Sequence, residues 1–268
     1  MKAFVEEMSS LRDVIKNKKP LIHHITNYVT AGFCADMALA VGASPVMADA
    51  IEEMAEMTGK ANALVINIGT INATKYASML KSQEVAKTKH LPVVLDPVGA
   101  MATAYRLQVA MELATRGVSI IKGNYAECFA LLSKEAKGKG VDSDLPVDLA
   151  PEQLAKNLAQ QYNCVVAVTG VQDAISDGTK TILAKNGDAM LGNITGAGCM
   201  TGTLIGAAAG VTTNYLAAAV FGISLMNEAA EKAVQTCHGP GSFKAQLMDQ
   251  VYQMSANALA AAFRGEEK

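Results

Sequence analysis

Short apolar runs recur along this chain, each closed by a small or polar residue and followed by a longer stretch of mixed, helix-spaced positions. Leu21–Thr26, Pro45–Ala48, Ala63–Ile68 (ALVINI) and Pro92–Leu95 (PVVL) read as strands, the third ending at Gly69 and the fourth at Asp96-Pro97. Ser119–Lys122 and Cys164–Val168 (CVVAV) repeat the pattern ahead of Gly123-Asn124 and Thr169-Gly170. Continuous apolar runs separated by helices predict a parallel sheet covered on both faces. Thr26 or Asn27 is placed to cap a helix over Tyr28–Val41, which Gly42 would end, and the acidic stretch Asp49–Glu53 opens the next helix.

Farther on, Ala174–Gly178 and Thr181–Ala184 predict a hairpin turning at Asp177-Gly178. From Cys199 the pattern is helical over 199–210, about 214–236 and about 242–263. Lys134–Pro151 is charged and rich in Gly, Asp and Pro, as a surface excursion would be. Neither a linker nor an internal repeat is visible, so residues 1–268 are expected to form one doubly wound α/β domain. In such sheets ligands bind at the carboxyl ends of the strands. Asn27, Met47, Gly69, Asp96, Lys122, Asn124, Thr169 and Gly196 all fall at those ends.

Half the residues are apolar and 18% are charged, enough for a sizeable core. A net charge of −2 argues against nucleic acid as the main partner. The five cysteines are widely spaced with no Cys-x-x-Cys pair, which suits reduced thiols better than disulfides or a zinc site. The N-terminus is amphipathic and mixed in charge rather than signal-like, and apolar stretches break before the roughly 18 residues a membrane span needs. A soluble cytoplasmic protein is the expectation.

The candidate chemistry centres on Asn193-Ile194-Thr195-Gly196-Ala197-Gly198-Cys199, directly before a small-residue helix. Glycines ahead of a helix let backbone N–H groups converge on an anion at the positive end of the helix dipole. The same pattern also serves plain packing. Cys199 lies in the first helical turn, where the dipole is expected to lower a thiol pKa and let it accept a proton from a hydroxyl. A small buried cysteine in a Gly/Ala-rich helix is the other reading.

Seven short motifs then occur in order: Ile22–Asn27, Ser44–Met47, Val94–Ala100, Lys122–Glu127, Val168–Gly170, the Gly196–Cys199 turn, and Gly239–Phe243. Together, over about residues 11–263, they closely resemble the hydroxyethylthiazole kinase family of thiamine salvage. The resemblance implies a ribokinase-like three-layer α/β/α fold with a mostly parallel central sheet and no separate lid domain. It implies phosphorylation of 4-methyl-5-(2-hydroxyethyl)thiazole on its hydroxyl by ATP with Mg²⁺. It also implies a homotrimer with sites between subunits, bringing the Asn27/Met47 segment of one chain to the Gly196 turn of another.

Residue by residue, Cys199 matches the candidate base, which is Asp in most ribokinase-like enzymes and Cys in this branch. Met47 and Gly196, with Asn27 close by, match thiazole-holding positions, and Lys122 and Thr169 match nucleotide-binding positions. Gly198 shares the phosphate turn, while Asp96 and Glu127 match acidic positions near Mg²⁺ and the phosphates. One departure stands out: Arg is expected where Lys122 stands, and Lys holds a phosphate as a point charge, without the bidentate fork.

Plainer roles compete for several of these residues. Asp96 before Pro97 could cap a turn, Glu127 could complement a helix dipole, and Met47 could be core. The Thr169 hydroxyl needs a partner, either phosphate or neighbouring backbone. His23 and His24 point to opposite faces of a strand and cannot chelate one ion together, so one is expected in the core and the other toward the cleft or a subunit. Cys34, Cys128, Cys164 and Cys237 are assigned to packing. Hydroxymethylpyrimidine kinase shares the terminal Cys of the turn, but its Gly/Ser-rich first turn is missing here. A nucleotide-dependent NAD(P)H-hydrate dehydratase would carry Asp in place of Cys199, and a nucleotide-sensing binding protein would show no turnover.

Overall fold

The computed structural model describes residues 1–135 and 149–268, so most of the predicted excursion over 134–151 lies outside the described residues. Six of the apolar runs become the parallel strands β1 (Leu21–Ile25), β2 (Ser44–Val46), β3 (Ala63–Asn67), β4 (Val93–Asp96), β5 (Ile120–Asn124) and β6 (Val165–Thr169). The sheet order is β2-β1-β3-β4-β5-β6. Three antiparallel strands extend it beyond β6: β7 (Asp173–Ser176), β8 (Thr181–Ala184) and β9 (Gly265–Glu267).

Side-chain alternation along the strands builds two apolar layers. Ile22, Val65, Val94 and Ile120 face one core with α1 (Lys2–Lys18), α2 (Ala31–Val41), α8 (Ala197–Ala209), α9 (Tyr215–Val234), α10 (Pro240–Gln253) and α11 (Ala256–Ala262). Leu64, Ile66, Leu95 and Ile121 face the other, covered by α3 (Met54–Lys60), α4 (Ala73–Lys89), α5 (Ala104–Thr115), α6 (Tyr125–Ser133) and α7 (Pro151–Tyr162). This is the expected three-layer α/β/α arrangement. None of the described helices is long and apolar enough to cross a membrane.

Two details of this frame place the site. The parallel register sets Asn67 beside Asp96 and Asn124 beside Thr169, so polar strand ends form a level row. Small residues let α8 lie directly on the sheet: a Cβ on Gly206 would sit 2.5 Å from the Val65 side chain. The N-terminus of α8 therefore arrives over that same row.

The structure corrects several local expectations. Neither Thr26 nor Asn27 caps α2, which begins at Ala31; Asn27 Oδ1 instead accepts from the Thr30 N–H at 3.0 Å and shapes the preceding turn. The acidic stretch 49–53 precedes α3 rather than opening it, because the helix starts at Met54. The predicted helix over 242–263 is two helices, α10 and α11, broken at Met254-Ser255. Buried Arg12 explains the break, since its guanidinium donates to the carbonyls of Val251, Tyr252 and Met254, and Ser255 caps α11. The short, charged β9 carries no strand signal in sequence and owes its form to pairing with β8.

Candidate active site

The strand-end row begins as a connected side-chain network. Asn27 Nδ2 donates to Asn67 Oδ1 at 2.9 Å and approaches Cys199 Sγ at 3.5 Å. Asn67 Nδ2 donates to Asp96 Oδ2 at 2.7 Å and to Cys199 Sγ at 3.2 Å. Asp96 Oδ1 accepts from Lys122 Nζ at 3.2 Å, a pair in which both side chains are almost wholly buried. Three strand ends and the first turn of α8 thus meet around one sulfur.

Glycine geometry lets the turn approach. Gly196 takes the left-handed conformation with φ 90°, and a Cβ there would lie 2.8 Å from Thr30. A Cβ on Gly198 would lie 2.9 Å from Lys122 Nζ, which places the lysine ammonium against the backbone of the turn. A cation, a helix N-terminus and a glycine turn coincide, which is the composition of an anion pocket.

Glu127 stands on the opposite flank of Lys122. Its carboxylate accepts from the Gly99 N–H and the Asn124 N–H, each at 2.9 Å, completing a capping box with Asn124 at the start of α6. Burial, then the nearby Asp96, pushes the Glu127 carboxyl up against the opposing pull of Lys122. Burial alone would lower Lys122, but Asp96 foremost, with Glu127 and Cys199, holds its ammonium above the ordinary value. Cys199 departs from expectation: burial and then Asp96 push its thiol up, outweighing Thr30, Lys122 and Asn27. The helix dipole does not make a resting thiolate here.

The described residues contain no group of three or more candidate metal-ligating side chains. Asp96 and Glu127 nevertheless suit a hard cation that takes its other ligands from phosphates and water. Each of their four oxygens carries one hydrogen bond and retains a second lone pair.

Toward β6 the row opens into a pocket of ≈ 320 Å³ lined by Asn124, Thr169, Gly170, Gly198, Thr201 and Asn227, among others. A second pocket of ≈ 370 Å³ shares Gly170 and Asn227 with it. The Thr169 hydroxyl donates to the Gly123 carbonyl at 3.2 Å while lining the first pocket. Buried Asp173 also lines the first pocket and accepts from the Gly170 N–H at 3.0 Å and from Asn227 Nδ2 at 2.6 Å. Burial, opposed by those two donors, pushes its carboxyl up to about 6.

Met47 follows β2 at the sheet edge and is half-buried; it does not join the Cys199 network. The loop after it is pinned by His23, whose Nε2 lies 2.9 Å from the Ala48 carbonyl, and by Ser78, whose hydroxyl donates to the Asp49 carbonyl at 2.8 Å. Asn27, expected to reach the turn of a neighbouring chain, meets Cys199 of its own. His24 also differs from expectation, because both adjacent histidines are buried. His24 Nε2 lies 3.1 Å from Thr203 Oγ1, and burial lowers its pKa to about 4. Cys34, Cys128 and Cys164 are buried as assigned, while Cys237 is half-buried. Sequence reasoning missed Asn67 and Asp173 because Asn67 lies inside the apolar run Ala63–Ile68 and Asp173 just precedes the predicted hairpin strand, so neither carries a motif signal.

A mostly parallel sheet with a glycine turn and a helix N-terminus over its strand ends is a ribokinase-like fold. The fold is shared with a ribokinase-like superfamily protein from Enterococcus faecalis, with a TM-score of 0.65 at 12% identity over 95% of this chain and 96% of that one. Residues 12–257 match the model of the hydroxyethylthiazole kinase family, and the chain belongs to that family. It is 41% identical over 254 residues to hydroxyethylthiazole kinase of Methanocella arvoryzae, covering 94% of this chain and 95% of that protein. The solved hydroxyethylthiazole kinase of Pyrococcus horikoshii superposes with a TM-score of 0.89 at 38% identity, with complete coverage of both chains.

Proposed function

We propose that residues 1–268 form one kinase domain that transfers the γ-phosphoryl group of ATP to the hydroxyl of hydroxyethylthiazole, feeding thiamine synthesis. The observation that carries this reading is the meeting of Cys199, Asn27 and the Asp96–Lys122 pair under the Gly196–Gly198 turn. Phosphoryl transfer asks mainly for positioning and charge neutralisation, which a buried cation beside convergent backbone N–H groups supplies.

In this reading Lys122, Thr169 and Gly198 receive the nucleotide phosphates, and the pocket beyond Thr169 receives the rest of ATP. Met47, Gly196 and Asn27 hold the thiazole, and Cys199 faces its hydroxyl. A thiol held above its usual pKa is protonated at neutral pH, so Cys199 takes up no proton at rest. That suits a loose transition state, in which the alcohol proton leaves late and passes to an oxygen of the transferring phosphoryl group. Asp96 and Glu127 hold Mg²⁺, which when bound neutralises developing phosphate charge. The family resemblance supports a cytoplasmic homotrimer that places the Met47 edge of one chain near a neighbour's turn.

Purified protein is to be screened for ADP formation with Mg·ATP and hydroxyethylthiazole, hydroxymethylpyrimidine, pyridoxal or small sugars. Turnover with the thiazole is expected. Turnover with the pyrimidine but not the thiazole would sink the assignment.

A further inference from the structure

Asn67 belongs to none of the sequence motifs, yet its carboxamide carries four hydrogen bonds. Nδ2 donates to Asp96 Oδ2 at 2.7 Å and to Cys199 Sγ at 3.2 Å, while Oδ1 accepts from Asn27 Nδ2 and the Gly69 N–H, each at 2.9 Å. A carboxamide offers two N–H donors and two oxygen lone pairs, so this one is filled. Its orientation follows from its partners: reversed, it would aim N–H groups at two donors and its oxygen at a carboxylate. Asn67 is buried, ends β3 and pairs in register with Asp96, so the sheet rather than a loop sets its position.

Resting on the reading of Cys199 as a reacting-centre residue, we propose that Asn67 is a positioning residue for phosphoryl transfer. Its carboxamide fixes the Cys199 sulfur and the Asp96 carboxylate relative to each other at the end of the site that takes the acceptor hydroxyl. Without it, the sulfur keeps the 3.5 Å contact to Asn27 and the neighbouring Thr30 hydroxyl, and the Asp96 carboxylate keeps Lys122. Site groups borne by a sheet and locked by hydrogen bonds hold their geometry closely, and small misplacements are expensive in rate.

The test compares Asn67→Ala, Asn67→Ser, Cys199→Ala and the Asn67→Ala/Cys199→Ala double variant in steady-state and single-turnover kinetics with ATP and hydroxyethylthiazole. Asn67→Ala is expected to lower kcat about 10- to 100-fold, and to change KM for ATP little. Asn67→Ser, which keeps a donor, is expected to recover part of that loss. In the Cys199→Ala background the further loss is expected to shrink to about threefold or less. Unchanged kcat in Asn67→Ala, or the same fold-loss in both backgrounds, would overturn the proposal while leaving the role of Cys199 standing. Full kcat in Cys199→Ala would remove both. Should the Asn67 variants fail to fold, the Asn67 side-chain amide resonances are compared between wild type and Cys199→Ala. A shift is expected, and unmoved resonances would overturn the proposal.

Discussion

The two ends of the strand-end row are built differently. From β1 to β5 the side chains bond to one another: Asn27, Asn67, Asp96, Lys122 and Cys199 form a closed network with few degrees of freedom. At β6 and β7 Thr169 turns back to the Gly123 carbonyl, Asp173 accepts from the Gly170 N–H and from Asn227, and an open pocket is left between them. Closed geometry suits the acceptor end proposed above, because reacting groups must already be in place when bonds change. Open geometry suits the end that must admit and release a large ligand.

The contrast is broken most severely at Asp96. Asp96→Ala leaves Lys122 buried without its carboxylate, and loss of one partner of a buried ion pair costs about 3–5 kcal/mol. Urea denaturation should show a loss in that range, with thiazole kinase activity abolished. A stability change below about 1 kcal/mol, the value of a surface pair, would mean the Asp96–Lys122 contact contributes little.

At the open end the largest effect is on pH dependence. The Asp173 pKa is raised in the folded state from 3.8 to about 6, so the native protein keeps a proton that the unfolded chain has lost. Its contribution is therefore full below about pH 4 and disappears as pH rises through about 6. Asp173→Asn cannot titrate, so wild-type stability minus variant stability should fall by about 2–3 kcal/mol between about pH 4 and pH 7. A flat difference in paired denaturant titrations would show that Asp173 is not held protonated. Thr169→Val should have the smallest effect, raising KM for ATP about 2- to 10-fold through one lost hydrogen bond and leaving kcat near wild type. A kcat defect without a KM change would erase the division between the two ends.

Most of the frame was legible because a buried parallel sheet writes itself as continuous apolar runs, and ALVINI, PVVL and CVVAV became β3, β4 and β6. The glycine turn at the start of α8 was legible from Gly196 and Gly198 beside a small-residue helix. What stayed hidden depends on distant partners. Arg12 breaks the last helical stretch from the far end of the chain, and β9 exists only through its pairing with β8. Asn67 acquires its four bonds only when three strands and α8 meet. The Cys199 thiol was misjudged because the helix dipole is visible in sequence, whereas burial and the approach of Asp96 are not.

Cys199→Ala, with kcat and both KM values measured on ATP and hydroxyethylthiazole, tests the central claim most directly. The account places Cys199 at the closed, reacting end and predicts a fall in kcat of about 10- to 100-fold with KM for ATP nearly unchanged. An intact kcat with a raised KM would contradict it, because Cys199 would then line the pocket without entering the chemistry.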